Sequence, residues 1–171
     1  MKSILDIEEK ENKPKVIDYA CGSGHFLNEY ANQIKPLVLD KGNLSDYHPN
    51  IFGIEKEYYL SEVAKVSTFM HGQDKVNILY GDALSQTKEI QENSFSVLVA
   101  NPPYSVKVFL EILSDKDKAN YQLINNIDYK LHANNNDIQS FFIERTKQLL
   151  KPMVIHFILE QESCYFNILI L

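Results

Sequence analysis

The chain reads as an α/β domain: a mostly parallel sheet with helices on both faces. Short apolar runs of strand length alternate with segments of helical period along the sequence, and strands separated by helices are the pattern of βαβ units. The first apolar run ends in a glycine-rich turn, Cys21-Gly22-Ser23-Gly24, which leads directly into a helical pattern. The acidic and amide residues of chemical interest follow the ends of strand candidates, which is where open α/β sheets gather their ligands.

Each element has its own warrant. Lys15 to Ala20 (KVIDYA) is apolar enough for a buried strand, and His25 to Ile34 continues as a helix. A polar insertion, Lys41 to Asn50, precedes a second strand at Ile51 to Glu55. Glu57 to His71 carries its apolar residues on helical spacing and stops at Gly72, a residue that readily closes a helix. Val76 to Tyr80 and Phe95 to Ala100 supply a third and a fourth strand. Ile138 to Lys151 is an amphipathic helix through Ile138, Phe141, Phe142 and Leu149, and Val154 to Leu159 is a fifth strand. Between Ser114 and Asp137 the chain is polar without a sustained period. A long loop with at most a short helix, closing as a flap over substrate, is the expectation there.

The 171 residues, 44% of them hydrophobic, fit one domain with a real core. Cys21 and Cys164 are too far apart in sequence to suggest a disulfide framework, and no signal-peptide pattern opens the chain. A cytoplasmic protein is expected. The apolar tail, Met153 to Leu171, is interrupted by Glu160-Gln161-Glu162 and falls short of the roughly 20 apolar residues of a membrane span. A net charge of −6 argues against holding nucleic acid by bulk electrostatics. The acidic excess lies in the first hundred residues, however, and Asn101 to Lys151 carries slightly more Lys and Arg than acids.

The most informative motif is Asn101-Pro102-Pro103-Tyr104, at the end of the fourth strand. An exocyclic amine of a base is flat and weakly nucleophilic, so accepting a methyl group requires acceptors for its two N–H bonds as positive charge develops. The Asn101 side-chain oxygen and a main-chain carbonyl, left without a ladder partner by the following proline, are such acceptors. Tyr104 adds a ring for stacking. The same four residues also suit a plain strand-ending turn, so their weight depends on what stands upstream.

Upstream, Gly22 and Gly24 let the main chain approach a ligand closely, and the helix starting at His25 offers its positive end to a carboxylate. Leu27 stands where the third glycine of a dinucleotide fingerprint belongs, and no glycine-lysine-serine/threonine sequence marks a nucleoside triphosphate loop. Glu55, closing the second strand, suits two ribose hydroxyls, since one carboxylate accepts from both. Asp82, after the third strand, suits an adenine amino group. The five histidines are scattered without metal-ligand spacing, so no metal is expected. Cys21 is assigned to packing, because displacement at a sulfonium needs no covalent intermediate.

Asp18-Tyr19-Ala20-Cys21-Gly22-Ser23-Gly24-His25-Phe26-Leu27, Ile54-Glu55, Gly81-Asp82-Ala83 and Asn101-Pro102-Pro103-Tyr104, in this order, resemble the adenine-specific DNA methyltransferases. The likeness is nearest to the modification subunit of type I restriction-modification systems and runs from about Lys15 to Pro152. It implies a Rossmann-like, S-adenosylmethionine-dependent methyltransferase core. Asp18, Ala20, Gly22 and Gly24 would lie near the methionine part of the cofactor, Glu55 on its ribose, and Asp82 and Ala83 at its adenine. Asn101, Pro102 and Tyr104 would handle a flipped adenine in duplex DNA, with Asn101 also beside the cofactor. Specificity and restriction subunits are the implied partners.

Members of that family carry a helical region and a further cofactor motif before the glycine loop, whereas fourteen residues precede Lys15. After Pro152 they continue with glycine, further strands and a target-recognition region, while here Met153 opens an unfamiliar ending. The expectation is one partial methyltransferase domain over residues 1–171, truncated, without a target-recognition domain, its sheet two strands short, and inactive alone at a specific DNA site. A cofactor-binding fragment or assembly module without catalysis stays open as an alternative. So does methylation of a protein glutamine amide or an RNA base.

Overall fold

The structure, a computed structural model, describes residues 13–38, 43–103, 105–126 and 138–152, together with the backbone of two strands at 155–159 and 166–170. Among the described residues six strands form one sheet: β1 (Val16–Asp18), β2 (Ile51–Glu55), β3 (Asn77–Tyr80), β4 (Val97–Ala100), β5 (Ile155–Leu159) and β6 (Phe166–Ile170). Their order is β3-β2-β1-β4-β5-β6, with β1 to β5 parallel and β6 antiparallel to β5. The chain leaves β1 toward β2 and β3 on one side and returns to β4 on the other, which opens a crevice beside the carboxyl ends of β1 and β4.

Two helices, α1 (His25–Val38) and α2 (Tyr58–Met70), follow β1 and β2. Their register on the sheet follows from strand alternation. Val16, Ile51, Ile78 and Val97 point to one face, where they pack with Leu27, Tyr30, Ala31 and Ile34 of α1 and Ala64 of α2. Ile17, Ile54 and Leu98 point to the other, since successive strand residues face opposite ways. That second face is covered by α5 (Ile138–Leu149), through Phe141, Phe142 and Leu149, and by Tyr121, Phe109 and Leu113. Helices thus cover both faces, as the alternation predicts.

Three differences from the expected elements stand out. The apolar ending contributes a strand, β6, so the sheet has six strands instead of five. The polar insertion before β2 holds two 3₁₀ turns, Leu44–Asp46 and His48–Asn50, with Tyr47 and His48 buried. And the described part of the expected flap does not stand free. It contains α4 (Asp115–Lys118), after α3 (Phe109–Ile112), and a 3₁₀ turn at Gln122–Asn126.

This segment is docked on the loop after β3. The Asp117 carboxylate accepts from Ser114 Oγ at 2.6 Å, Ser85 Oγ at 3.1 Å and Gln86 N at 3.3 Å. Burial opposes its charge, but those hydrogen bonds and Lys116 outweigh it and hold the carboxyl below its ordinary range. Tyr121 donates to Leu84 O at 2.7 Å, and Glu144 on α5 accepts from Gln122 N and Leu123 N. Residues 127–137, the rest of the expected flap, lie outside the described residues.

Candidate cofactor and active site

The glycine turn is built on β1. Asp18 Oδ1 accepts from Ala20 N at 3.0 Å, and Cys21 N donates to Ile54 O at 3.0 Å, so β1 stays in step with β2 past its last strand residue. The chain then needs two left-handed residues, Gly22 at φ +52° and Gly24 at φ +82°, a region that glycine enters without the steric cost of a Cβ. A Cβ on Gly24 would meet Thr68 Cγ2 at 3.4 Å and Ala64 Cβ at 3.5 Å, so α2 closes on the turn from behind. A Cβ on Gly22 would have nothing within 4 Å. The main chain at Gly22 therefore faces open space, as close ligand approach requires.

Glu55 grips this turn. Its Oε2 accepts from Gly22 N and its Oε1 from Glu57 N, both at 2.8 Å. Each oxygen keeps a further lone-pair site, so the carboxylate can fix the turn and still accept from a diol. Beside it, Gly81 N bonds Glu55 O at 2.9 Å and carries β3 into the Asp82 turn. Asp82 Oδ1 accepts from Leu84 N at 2.9 Å, and Oδ2 pairs with Lys56 Nζ at 2.6 Å. The Lys56 side chain is largely exposed, so the pair contributes about 0–1 kcal/mol and a ligand amino group can take its place. Ala83 is buried beneath this turn, and Ala20 is half-buried at the other.

Beyond β4, Asn101 is exposed, Pro102 buried and Pro103 exposed. Tyr104 lies outside the described residues. Four residues further on, Val108 takes φ +51° just before α3. That is an uncommon conformation for a β-branched residue and a mark of strain near the motif.

Strand order lines up the predicted residues. Across β3, β2, β1 and β4 come Asp82, Glu55, the Gly22 turn and Asn101, each at a carboxyl end. At about 4.8 Å per strand they span roughly 14 Å. The Asp18 side chain, under the turn, is fully buried, and its Oδ2 has no hydrogen-bond partner among the described residues. Cys21 is buried as well, and burial pushes its thiol far up, with Asp18 and Glu55 adding to the effect, which fits a packing role. Among the described residues no cluster of His, Cys, Asp or Glu has metal-site geometry, and no helix is long and apolar enough to cross a membrane.

Arg145 is the residue that reading the sequence assigned no role. Its side chain is 1% exposed; Nε donates to Ala83 O at 3.0 Å and Nη1 to Gln148 Oε1 at 2.9 Å. It ties α5 to the Asp82 turn, 62 residues away, and no local signal announces that.

Burial raises the Asp18 carboxyl to about 8, the Ala20 N–H bond opposing the shift and the Glu55 charge adding to it. Between its ordinary value of 3.8 and about 8, the folded state holds a proton that the unfolded state has released. The stability that Asp18 lends the fold is thus complete below about 4 and is lost as pH rises toward 8. From pH 5 to pH 8, the unfolding free energy of the wild type is expected to fall relative to that of Asp18→Asn, by up to about 1.4 kcal/mol per pH unit. Urea titrations giving parallel pH profiles for the two proteins would remove the buried proton.

The family model of the N-6 DNA methylases matches residues 1–163. The methylase subunit of the type I restriction enzyme MpnII of Mycoplasma pneumoniae is 34% identical over 112 residues, which cover 60% of this chain and 19% of that protein. The MjaVII methylase subunit of Methanocaldococcus jannaschii is 31% identical over 111 residues, covering 64% of this chain and 17% of its own. The chain thus spans less than a fifth of the length of these relatives. Among solved structures, a Listeria monocytogenes protein assigned to the class I S-adenosylmethionine-dependent methyltransferases superimposes with a TM-score of 0.63 at 19% identity, over 94% of this chain and 43% of that one. The M protein of the type I restriction enzyme EcoKI does so with a TM-score of 0.58 at 18% identity, over 92% and 32%. The fold is therefore the Rossmann-like one of S-adenosylmethionine-dependent methyltransferases.

Proposed function

This chain belongs to the N-6 DNA methylase family, and from that membership we propose that its crevice binds S-adenosylmethionine and, within the whole protein, methylates the 6-amino group of an adenine flipped out of duplex DNA. The observation that carries this reading is the row of Asp82, Glu55, the Gly22 turn and Asn101 along four neighbouring carboxyl ends. It offers, in sequence, an acceptor for an adenine amino group, an acceptor for a ribose diol, open main chain for a methionine moiety and acceptors for a target amine. The unobstructed space over Gly22 and the spare lone pairs of Glu55 fit such a ligand.

When bound, the cofactor supplies a methyl group activated by its sulfonium. The chain's part is positioning and electrostatics. Glu55 and Asp82 fix the nucleoside end, while the Gly22 turn and the start of α1 meet the methionine carboxylate. The Asn101 amide oxygen and a main-chain carbonyl of the motif hold the two N–H bonds of the target amine. They would turn its lone pair toward the methyl group and stabilise the positive charge that develops on the nitrogen during transfer, before the surplus proton is lost to water. Tyr104 stacks on the extruded base. With a net charge of −6, the chain leaves most of the grip on DNA to partner specificity and restriction subunits, and the work is done in the cytoplasm.

Calorimetry tests the cofactor half of this reading. Glu55→Ala is expected to weaken binding of S-adenosylhomocysteine by about 1–3 kcal/mol, because the diol loses its acceptor and the Gly22 turn loses its clamp. Equal affinity in wild type and variant would take Glu55 out of the ribose role.

A further inference from the structure

The helix α2 is built the wrong way round for a helix whose outer side faces water. The side it turns to the sheet carries small residues, with Ser61, Ala64 and Thr68 buried, while its large apolar residues point outward: Tyr59 is 71% exposed, Val66 58%, Phe69 68% and Met70 79%. At 100° per residue these four fall within about a third of the helix circumference, opposite the buried side. At one end of the stripe Tyr58 packs edge-on against Tyr80 of β3, at a centroid distance of 5.4 Å, and both rings are exposed. β3 is the edge of the sheet.

We propose that this face is a two-fold interface between two copies of the chain, with α2 crossing α2 antiparallel about the level midway between Tyr59 and Met70. Three properties point to a second copy as the occupant. The first is charge. The ionic groups alongside the stripe, Glu62 and Lys65, are of opposite sign and pair at 2.7 Å, so two such faces meet without like-charge repulsion although each chain carries −6. The second is shape. A centre level with the midpoint between residues 59 and 70 sets Tyr59 of one copy against Met70 of the other, an aromatic–thioether contact made twice. The third is area. At on the order of 120 Å² for each exposed side chain, the stripe with Tyr58 and Tyr80 offers roughly 700 Å², close to the ~800 Å² per partner of a standard interface and above the usual patch on a monomer. Aromatic residues and Met are also the types enriched at such interfaces.

Sedimentation equilibrium of the full chain over a concentration series tests this. The wild type is expected to show a monomer–dimer equilibrium with a dissociation constant of about 1–10 μM, the weak end of the range that interfaces of this area reach. Val66→Asp, which buries a carboxylate of each copy close to the axis, should raise that constant by roughly a hundredfold or more. Ile143→Asp, at an exposed position of α5 on the opposite side of the sheet, should leave it within about twofold. Should Val66→Asp fail to fold, the double variant Tyr59→Cys, Met70→Cys keeps the test. Its two cysteines lie about 16 Å apart along one helix, too far to bridge internally, and on oxidation they should link two chains and no more. A wild type that stays monomeric at about 200 μM, well above that range, open-ended aggregates, equal effects of the two aspartate variants, or no cross-linked pair would each overturn the proposal and leave the stripe to a different partner.

Discussion

Asn101→Ala, made in the whole protein that carries this domain, is expected to lower the rate of adenine methylation by about a hundredfold or more while leaving cofactor affinity nearly unchanged. The reason is where Asn101 acts. In the proposed reaction Asn101, at the far end of the row from Glu55 and Asp82, accepts from the target amine and stabilises charge that exists only on the way to the transition state. Removing one such acceptor or donor typically costs about 3–4 kcal/mol of barrier, and interactions made only in the transition state show in kcat with little change in ground-state binding. Single-turnover methyl transfer to adenine-containing duplex, beside calorimetry with S-adenosylhomocysteine, separates the two quantities. Full turnover in the variant would reduce Asn101-Pro102-Pro103-Tyr104 to a turn; lost cofactor binding would make Asn101 a fold or cofactor residue.

The second large effect is expected at Arg145. Truncation to Ala leaves the Ala83 carbonyl unpaired beneath the Asp82 turn, removes the bond to Gln148 and the longer contacts to Glu92 and to Ser85 O, and opens a cavity under α5. An unsatisfied buried acceptor costs about 1–3 kcal/mol and the cavity adds to it, so Arg145→Ala should lower the unfolding free energy by about 3–5 kcal/mol. Native domains hold only about 5–15 kcal/mol in all. Arg145→Met, which restores volume but not hydrogen bonds, should recover part of the loss, and both variants should bind S-adenosylhomocysteine more weakly because the Asp82 turn is freed. Urea unfolding within about 1 kcal/mol of wild type for Arg145→Ala would show that α5 does not secure that turn.

Much of this architecture is legible in local pattern. The second strand falls at Ile51–Glu55 as expected, the helix after it is capped by the Glu57 side chain on Leu60 N, and the glycine pair sits at positive φ. These features are set within a few residues of chain, where periodicity and turn chemistry operate. The features missed are set by contacts across the fold. Phe166–Ile170 pairs antiparallel with β5, but the residues between, Glu160 to Tyr165, include no Gly, Pro or Asn to announce a hairpin. The full burial of the Asp18 side chain is likewise set by sheet packing. The polar look of Leu44 to Asn50 hides Tyr47 and His48, which pack inward because the 3₁₀ turns direct them there. The anchoring of Ser114 to Asn126 depends on Ser85, Gln86 and Glu144, partners far away in sequence.

The most direct test of the central claim, that the carboxyl ends of β1 to β4 form one S-adenosylmethionine crevice, is a crystal structure of the chain with S-adenosylhomocysteine. The expected complex has ribose hydroxyls on the Glu55 carboxylate, the adenine amino group at Asp82 in place of Lys56, the methionine moiety over Gly22 and the sulfur toward Asn101. A ligand held elsewhere would contradict it, as in the polar groove between α1 and α2 lined by His25, Asn28, Glu29, Asn32, Ser67 and His71; so would a crevice that stays empty at saturating ligand.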